Sequence, residues 1–286
     1  MSIAITAASG NLGPLVIDEL LARGVRPNQI VAVVRDPTKI ESLAARGVSI
    51  RQGNYDNPPS LAAAFEGVAK VLIISGSEIG RRVQQHSNAI DAAREAGVGL
   101  IAYTSVLRAS EAQINPVLPE HVGTEQYLTA SGVPHVLLRN GFYTENYVAQ
   151  ARQALASGEL LTSAGDGRTA SATRRDFAAA AATVLTTPSH EGETYELAGD
   201  IGWTMRDFAE ALERIGERQV VVRRLDAAQH LETLLGAGVP QPAAEFAVEV
   251  DQAVAAGELD VYGSDLAELA GRPTTSLEDG LRAALG

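Results

Sequence analysis

Six short, nearly continuous apolar runs punctuate the first 140 residues: SIAIT (2–6), IVAVVR (30–35), VSIRQ (48–52), KVLIIS (70–75), GLIAYTS (99–105) and HVLLRN (135–140). They have strand length and almost no polar alternation, the pattern of strands covered on both faces. Between them lie Ala/Leu/Glu/Arg-rich segments at 12–24, 37–46, 59–66, 80–97 and 119–132. Apolar residues recur there at helical spacing, as in Leu15, Ile17, Leu20 and Leu21, and Gly24, Gly47, Gly67, Gly97 and Gly132 stand at the expected helix ends. Strand alternating with helix requires crossover connections. The pattern therefore predicts an α/β fold with a doubly wound parallel sheet of Rossmann type, ligand sitting at the carboxyl ends of the strands.

After about residue 145 the alternation breaks down. TYELAG (194–199) predicts one further strand, WTMRDFAEALERIG (203–216) a helix with Thr204 as N-cap, and QVVVRRL (219–225) a strand-like run in an otherwise helical remainder. We expect a main domain over 1–145 and a smaller, mostly helical lobe over 146–286 that returns a strand near 194–198 to the main body. Loop 109–119, with Ser, Asn and two prolines, is the expected mobile flap.

Composition narrows the chemistry. The 286 residues include 35 acids and 23 bases, a net charge of −12, so neither nucleic acid nor an anionic membrane is an expected partner. There is no cysteine, which removes disulfides, thiolate nucleophiles and Cys-ligated metal centres. The N-terminus lacks a basic signal-peptide region, and no stretch approaches the ~18 apolar residues of a membrane span. A cytoplasmic protein is expected. Of the bases only Lys39 and Lys70 are lysines.

The first strand runs into Thr6-Ala7-Ala8-Ser9-Gly10-Asn11-Leu12-Gly13 and at once into a helix. Glycines at such a junction let backbone N–H groups approach a pyrophosphate at the helix N-terminus. Ala7 stands where the usual first glycine would be; a positive φ there would carry strain. The second strand ends in Arg35-Asp36-Pro37. An arginine at this place suits a ribose 2′-phosphate, so NADPH is expected over NADH, with Asp36 leaving weaker NADH use open. Tyr55, in Gly53-Asn54-Tyr55-Asp56, either flanks the adenine or caps the core.

The turn ITAASGNLG, the stretches VVRDPTK, GNYDNPPSL, VLIISGSE and IAYTSVL, and above all RNGFYTENY and AGDGRTASAT, resemble the NmrA-like atypical short-chain dehydrogenases. Within that family the chain is most similar to type-2 NAD(P)H:quinone oxidoreductases, with triphenylmethane dye reductases nearby. The resemblance implies an NAD(P)-binding Rossmann domain over 1–145, a substrate-covering lobe over 146–286, bound NADPH and a two-electron reduction. It places Ala7, Ser9, Gly10, Asn11, Leu12 and Gly13 on the pyrophosphate turn, and Arg35 on the 2′-phosphate. Ser75, Gly76 and Ser77 fall beside the ribose and Tyr103, Thr104 and Ser105 at the end of the fifth strand. Asn140, Gly141, Phe142 and Tyr143 fall near the nicotinamide.

No tyrosine is followed four residues later by lysine, so the Tyr-x-x-x-Lys acid–base pair of ordinary short-chain dehydrogenases is absent. The corresponding helix carries His121 and Glu125 on one face, either a proton relay or a structural contact. A quinone needs less help than a ketone, because its reduction yields a stabilised phenolate. Asn140, Tyr143 and His121 are the candidate catalytic residues, acting by positioning and hydrogen-bond donation. The five histidines, 86, 121, 135, 190 and 230, lack close ligand spacing, so no metal is expected, and direct hydride donation needs no flavin. His135 is expected to be structural, Arg174-Arg175 to ion-pair between lobes, and Arg223-Arg224 to be solvated. The expected substrate is a small quinone or similar electrophile. The alternatives are a triphenylmethane or azo dye reductase, and an NmrA-like redox sensor that binds nucleotide without chemistry. A monomer or a homodimer is compatible with the resemblance.

Overall fold

The computed structural model describes residues 2–114, 117–263 and 265–286. Each of the six apolar runs forms a strand: β1 (Ile3–Ile5), β2 (Ile30–Val34), β3 (Ser49–Gln52), β4 (Lys70–Ile73), β5 (Leu100–Val106) and β6 (His135–Asn140). The second half adds β7 (Glu159–Thr162), β8 (Thr194–Leu197) and β9 (Val221–Arg224). The main sheet has the order β3-β2-β1-β4-β5-β6-β8, parallel throughout, so the expected strand near 194–198 joins it beside β6. The order reverses between β1 and β4. The connections leaving these two strands diverge, and a crevice opens at their carboxyl ends.

The helices are α1 (Gly13–Ala22), α2 (Glu41–Ala45), α3 (Pro58–Phe65), α4 (Arg82–Glu95), α5 (Leu118–Ala130), α6 (Val148–Ser157) and α7 (Arg174–Thr186), then α8 (Met205–Gly216), α9 (Ala227–Gly236), α10 (Gln241–Ala255), α11 (Asp265–Ala270) and α12 (Leu277–Leu285). Both sheet faces are covered, which is why its strands lack alternation. Ile3 and Ile5 of β1 pack in one layer with Ile17, Leu20 and Phe177, whereas Ala4 packs in the other with Phe65, Ile90 and Leu128. Of the expected loop 109–119, residues 115 and 116 lie outside the described residues, and α5 already begins at Leu118.

A separate parallel pair, β7 with β9, anchors the second lobe; β9 is the QVVVRRL run, while β7 had no strong signal. Its core is aromatic, with Tyr147 4.9 Å from Trp203 and 5.5 Å from Phe208 between ring centroids. Thr204 caps α8 as expected, its hydroxyl and the Asp207 carboxylate exchanging bonds with each other's backbone N–H. Helices α9 and α10 pack through a small cluster of their own around Leu234, Ala244 and Val248. No helix among the described residues is long and apolar enough to cross a membrane.

Candidate active site

The turn between β1 and α1 is tighter than its residues prefer. Ala7 has φ +47°, the left-handed region that strains an L-residue, and its carbonyl accepts a bond from Gly10 N at 2.9 Å. A Cβ on Gly13 would lie 2.6 Å from Ala8 Cα and 2.8 Å from Ala7 O, so this position admits only glycine. No side chain caps α1, which leaves its first N–H groups free for an anion. Replacing Ala7 with glycine is expected to raise the unfolding free energy by about 0.5–1 kcal/mol, the relieved strain less the added chain entropy. A urea denaturation midpoint reads this. A lower midpoint would mean that methyl packing outweighs strain.

This turn opens onto a groove of about 510 Å³. Its walls include Ala7, Ser9, Gly10, Asn11 and Leu12 of the turn, Arg35 and Lys39 beyond β2, Tyr55, and Ser75, Gly76 and Ser77 after β4. Tyr143 and Arg174 complete it from the other half of the chain. The Arg35 side chain is 72% exposed and pairs with Glu78 at 3.3 Å. Asp36 is turned aside. It caps the short turn after it, accepting from Thr38 N at 3.1 Å and Thr38 Oγ1 at 2.6 Å, bonds that hold its carboxyl below the usual range. Tyr55 lines the groove, and its hydroxyl is tied to Thr6 Oγ1 at 2.6 Å and Ile74 O at 2.8 Å.

A second cavity, of about 180 Å³, shares Ser75 and Tyr143 with the groove. Ser105, His121, Asn140, Gly141 and Phe142 line it, and α10 closes it with Phe246, Val250 and Ala253. Asn140 Nδ2 donates to Tyr143 Oη at 3.0 Å. Burial raises the Tyr143 hydroxyl pKa, so it stays protonated; its oxygen accepts from Asn140 and its proton remains available at the junction of groove and cavity. Phe177 meets the Tyr143 ring edge-on at 5.0 Å and the Arg174 guanidinium lies over its face at 4.8 Å, which fixes the ring.

His121 is held from behind. Tyr103 Oη lies 2.8 Å from His121 Nδ1, and burial keeps the Tyr103 hydroxyl protonated. In the tautomer in which Tyr103 donates to Nδ1, the Nε2 proton is left for the cavity. Burial, reinforced by Arg82, pushes the His121 pKa down to about 3, so the imidazole is neutral. The neighbouring His86 is fixed in the opposite tautomer: its Nε2 accepts from Gly76 N at 3.0 Å, and its Nδ1 sits 3.1 Å from Thr124 Oγ1.

Several expected positions do not line the groove itself, Tyr103 and Thr104 among them. Tyr103 is fully buried behind His121, and Thr104 Oγ1 supports the groove from below by accepting from Ser75 N at 2.9 Å. Ser105, Gly141 and Phe142 line the cavity instead of the groove. Of the two expectations for His121 and Glu125, the structural one holds, each residue being bound by a different partner. Glu125 is bound by Arg139 through Nε at 3.0 Å and Nη2 at 2.8 Å and by the Ser105 hydroxyl, a structural clamp between α5, β6 and β5. Arg174 lies on the groove and also ion-pairs with Glu145 at 3.8 Å, and Arg175 reaches Glu19 at 3.7 Å. Arg223 and Arg224 are solvated as expected, paired only with exposed acids. Gln85 of the groove and the α10 wall of the cavity had no sequence signal that set them apart. No group of three or more His, Cys, Asp or Glu able to hold a metal occurs among the described residues.

Comparison with known proteins places this geometry in context. Residues 7–188 match the model of a family described as NAD(P)H-binding. Quinone oxidoreductase 2 of Escherichia coli K12 is 44% identical over 277 residues, covering 97% of this chain and 96% of its own. The structure of the Escherichia coli NADPH-dependent quinone oxidoreductase complexed with NADPH superposes with a TM-score of 0.95 at 43% identity, covering 99% of this chain and 100% of that one. The Citrobacter triphenylmethane reductase complexed with NADP(H) gives a TM-score of 0.94 at 40% identity, with 99% and 100% covered.

Proposed function

The chain belongs to the NAD(P)H-binding family, among its NmrA-like members, and from that premise we propose that it is a cytoplasmic, NADPH-dependent reductase of quinones. The observation that carries this reading is the shared wall: Ser75 and Tyr143 border both the nucleotide groove and the small cavity, so a nicotinamide and a flat acceptor can meet there. The groove fits the nucleotide. Gly13 leaves the space that a Cβ would fill, α1 offers uncapped N–H groups, and Arg35 and Lys39 supply cations while Asp36 is bonded elsewhere. That charge pattern supports NADPH over NADH. We place the nicotinamide end beside Asn140 and Tyr143.

Bound NADPH supplies a hydride. The residues of the chain do the rest by positioning and electrostatics. Reduction of a quinone builds negative charge on an oxygen. The Tyr143 hydroxyl, polarised by its bond from Asn140, and the His121 Nε2–H are the donors that face the place where that charge appears. Neither needs to surrender its proton, because a phenolate leaving the site is protonated by water. Phe142, Phe246 and Leu259 keep the cavity apolar, which strengthens those hydrogen bonds.

The test is NADPH consumption at 340 nm with 1,4-benzoquinone, and with malachite green as a triphenylmethane acceptor. Quinone-dependent oxidation above the uncatalysed rate is expected. Nucleotide binding without turnover on either acceptor would move the protein to the sensor class.

A further inference from the structure

Beyond the cavity at the groove lies another of about 300 Å³, between α6 and β7 on one side and the α9–α10 pair on the other. The two are neighbours: Phe142, Asn146, Phe246 and Val250 belong to the walls of both. The outer cavity has apolar walls, including Leu161, Leu234 and Val239, yet a buried polar pair stands in it, His230 and Asp251, with side chains 4% and 5% exposed.

Their bonding leaves one atom unused. Asp251 Oδ2 accepts from Thr162 Oγ1 at 2.8 Å and from Ser163 N at 2.6 Å. His230 Nδ1 lies 3.0 Å from Ser163 Oγ, whose own proton is directed to Asp251 Oδ2 at 3.4 Å. The His230 proton therefore sits on Nδ1. Burial outweighs the pull of Asp251 and keeps the imidazole neutral. Its Nε2 is then a bare acceptor with no protein partner among the described residues. Gln150 adds a second acceptor on the same wall, since its amide nitrogen is committed to Leu161 O at 2.8 Å. His230 Nε2 is not one of the sealed, unpartnered side-chain atoms among the described residues, so it keeps surface open to the cavity, where a ligand's donor can reach it.

We propose that this cavity is a distal substrate subsite, receiving an apolar arm that ends in a hydroxyl or N–H donor to His230 Nε2. The substrate is thus a quinone with an extended substituent, its ring in the inner cavity beside His121 and its arm beneath α9 and α10. The term substrate rests on the hydride-transfer reading; the subsite itself does not.

Binding is measured by calorimetry on protein saturated with NADP⁺, where no reduction can occur. The probes are 1,4-benzoquinone and two dimethoxy-methyl-benzoquinones that differ only at the end of their arm, one decyl and one 10-hydroxydecyl. The hydroxydecyl compound is expected to bind about fivefold more tightly than the decyl one, a factor that His230→Phe abolishes. Asp251 keeps its bonds from Thr162 and Ser163 in that variant. Ala247, which lines the outer cavity alone, provides the independent arm. Ala247→Trp is expected to weaken both long-armed quinones about tenfold and leave 1,4-benzoquinone unchanged. Equal binding of all three quinones to wild type and Ala247→Trp would overturn the subsite, as would an equal loss for all three. The expected pattern without any quinone turnover would uphold the subsite and remove the reductase reading.

Discussion

Replacing His121 with phenylalanine is expected to lower kcat for 1,4-benzoquinone by about a hundredfold and to leave KM for NADPH nearly unchanged. The size is that of one preorganised donor lost from a desolvated site. The split follows from position, since His121 lines the acceptor cavity and not the nucleotide groove. The pH profile separates donation from acid catalysis. With its pKa pushed to about 3, His121 stays neutral over the whole working range, so wild-type kcat/KM shows no ionisation near the ordinary histidine value of 6.5. A break near 6.5 that vanishes in His121→Phe would show instead that His121 exchanges a proton in turnover. Tyr103→Phe supplies a second readout. The phenol that holds the imidazole tautomer is gone, while the ring stays in the core, so kcat falls by less than in His121→Phe and binding of nucleotide is retained.

Arg35→Ala is expected to raise KM for NADPH about tenfold and to change KM for NADH little. A charge-assisted bond to a phosphate is worth more than this in a buried site, but the Arg35 side chain is 72% exposed and water screens it. Glu78 competes for the same guanidinium, so Glu78→Gln is expected to lower KM for NADPH modestly. Parallel shifts for the two nucleotides in Arg35→Ala would contradict the assignment of the 2′-phosphate.

The sheet was legible because its strands are covered on both faces. Runs such as IVAVV and HVLL have no other reading when helical segments separate them. Gly24 and Gly132, at φ +83° and +73°, stop their helices as the pattern implied. The glycine turn was legible from its place at the first strand–helix junction, and the strain at Ala7 was anticipated as one of two outcomes. Four things were hidden. The four-residue strand β7 pairs only with β9, so its sequence carries no two-faced burial to recognise. The division of labour within α5 was hidden because helical spacing puts His121 and Glu125 on one face but says nothing of partners; Tyr103 takes one and Arg139 the other. Arg174 makes the ion pair read for it, with Glu145, but only the fold reveals that α7 begins against Tyr143. The wall that α10 adds to both cavities lies far along the chain from β5, β6 and β7, which it faces, beyond the reach of any local pattern.

The central claim is direct hydride transfer from a nucleotide held between the glycine turn and Tyr143 to an acceptor beside His121. The most direct measurement uses NADPH deuterated at C4 of the dihydronicotinamide, pro-R in one sample and pro-S in the other, with 1,4-benzoquinone, and asks by mass spectrometry which NADP⁺ retains the label. A nicotinamide clamped with one face toward the cavity loses the label from one sample and keeps it in the other. Loss from both samples alike, or no quinone-dependent loss from either, would contradict the account.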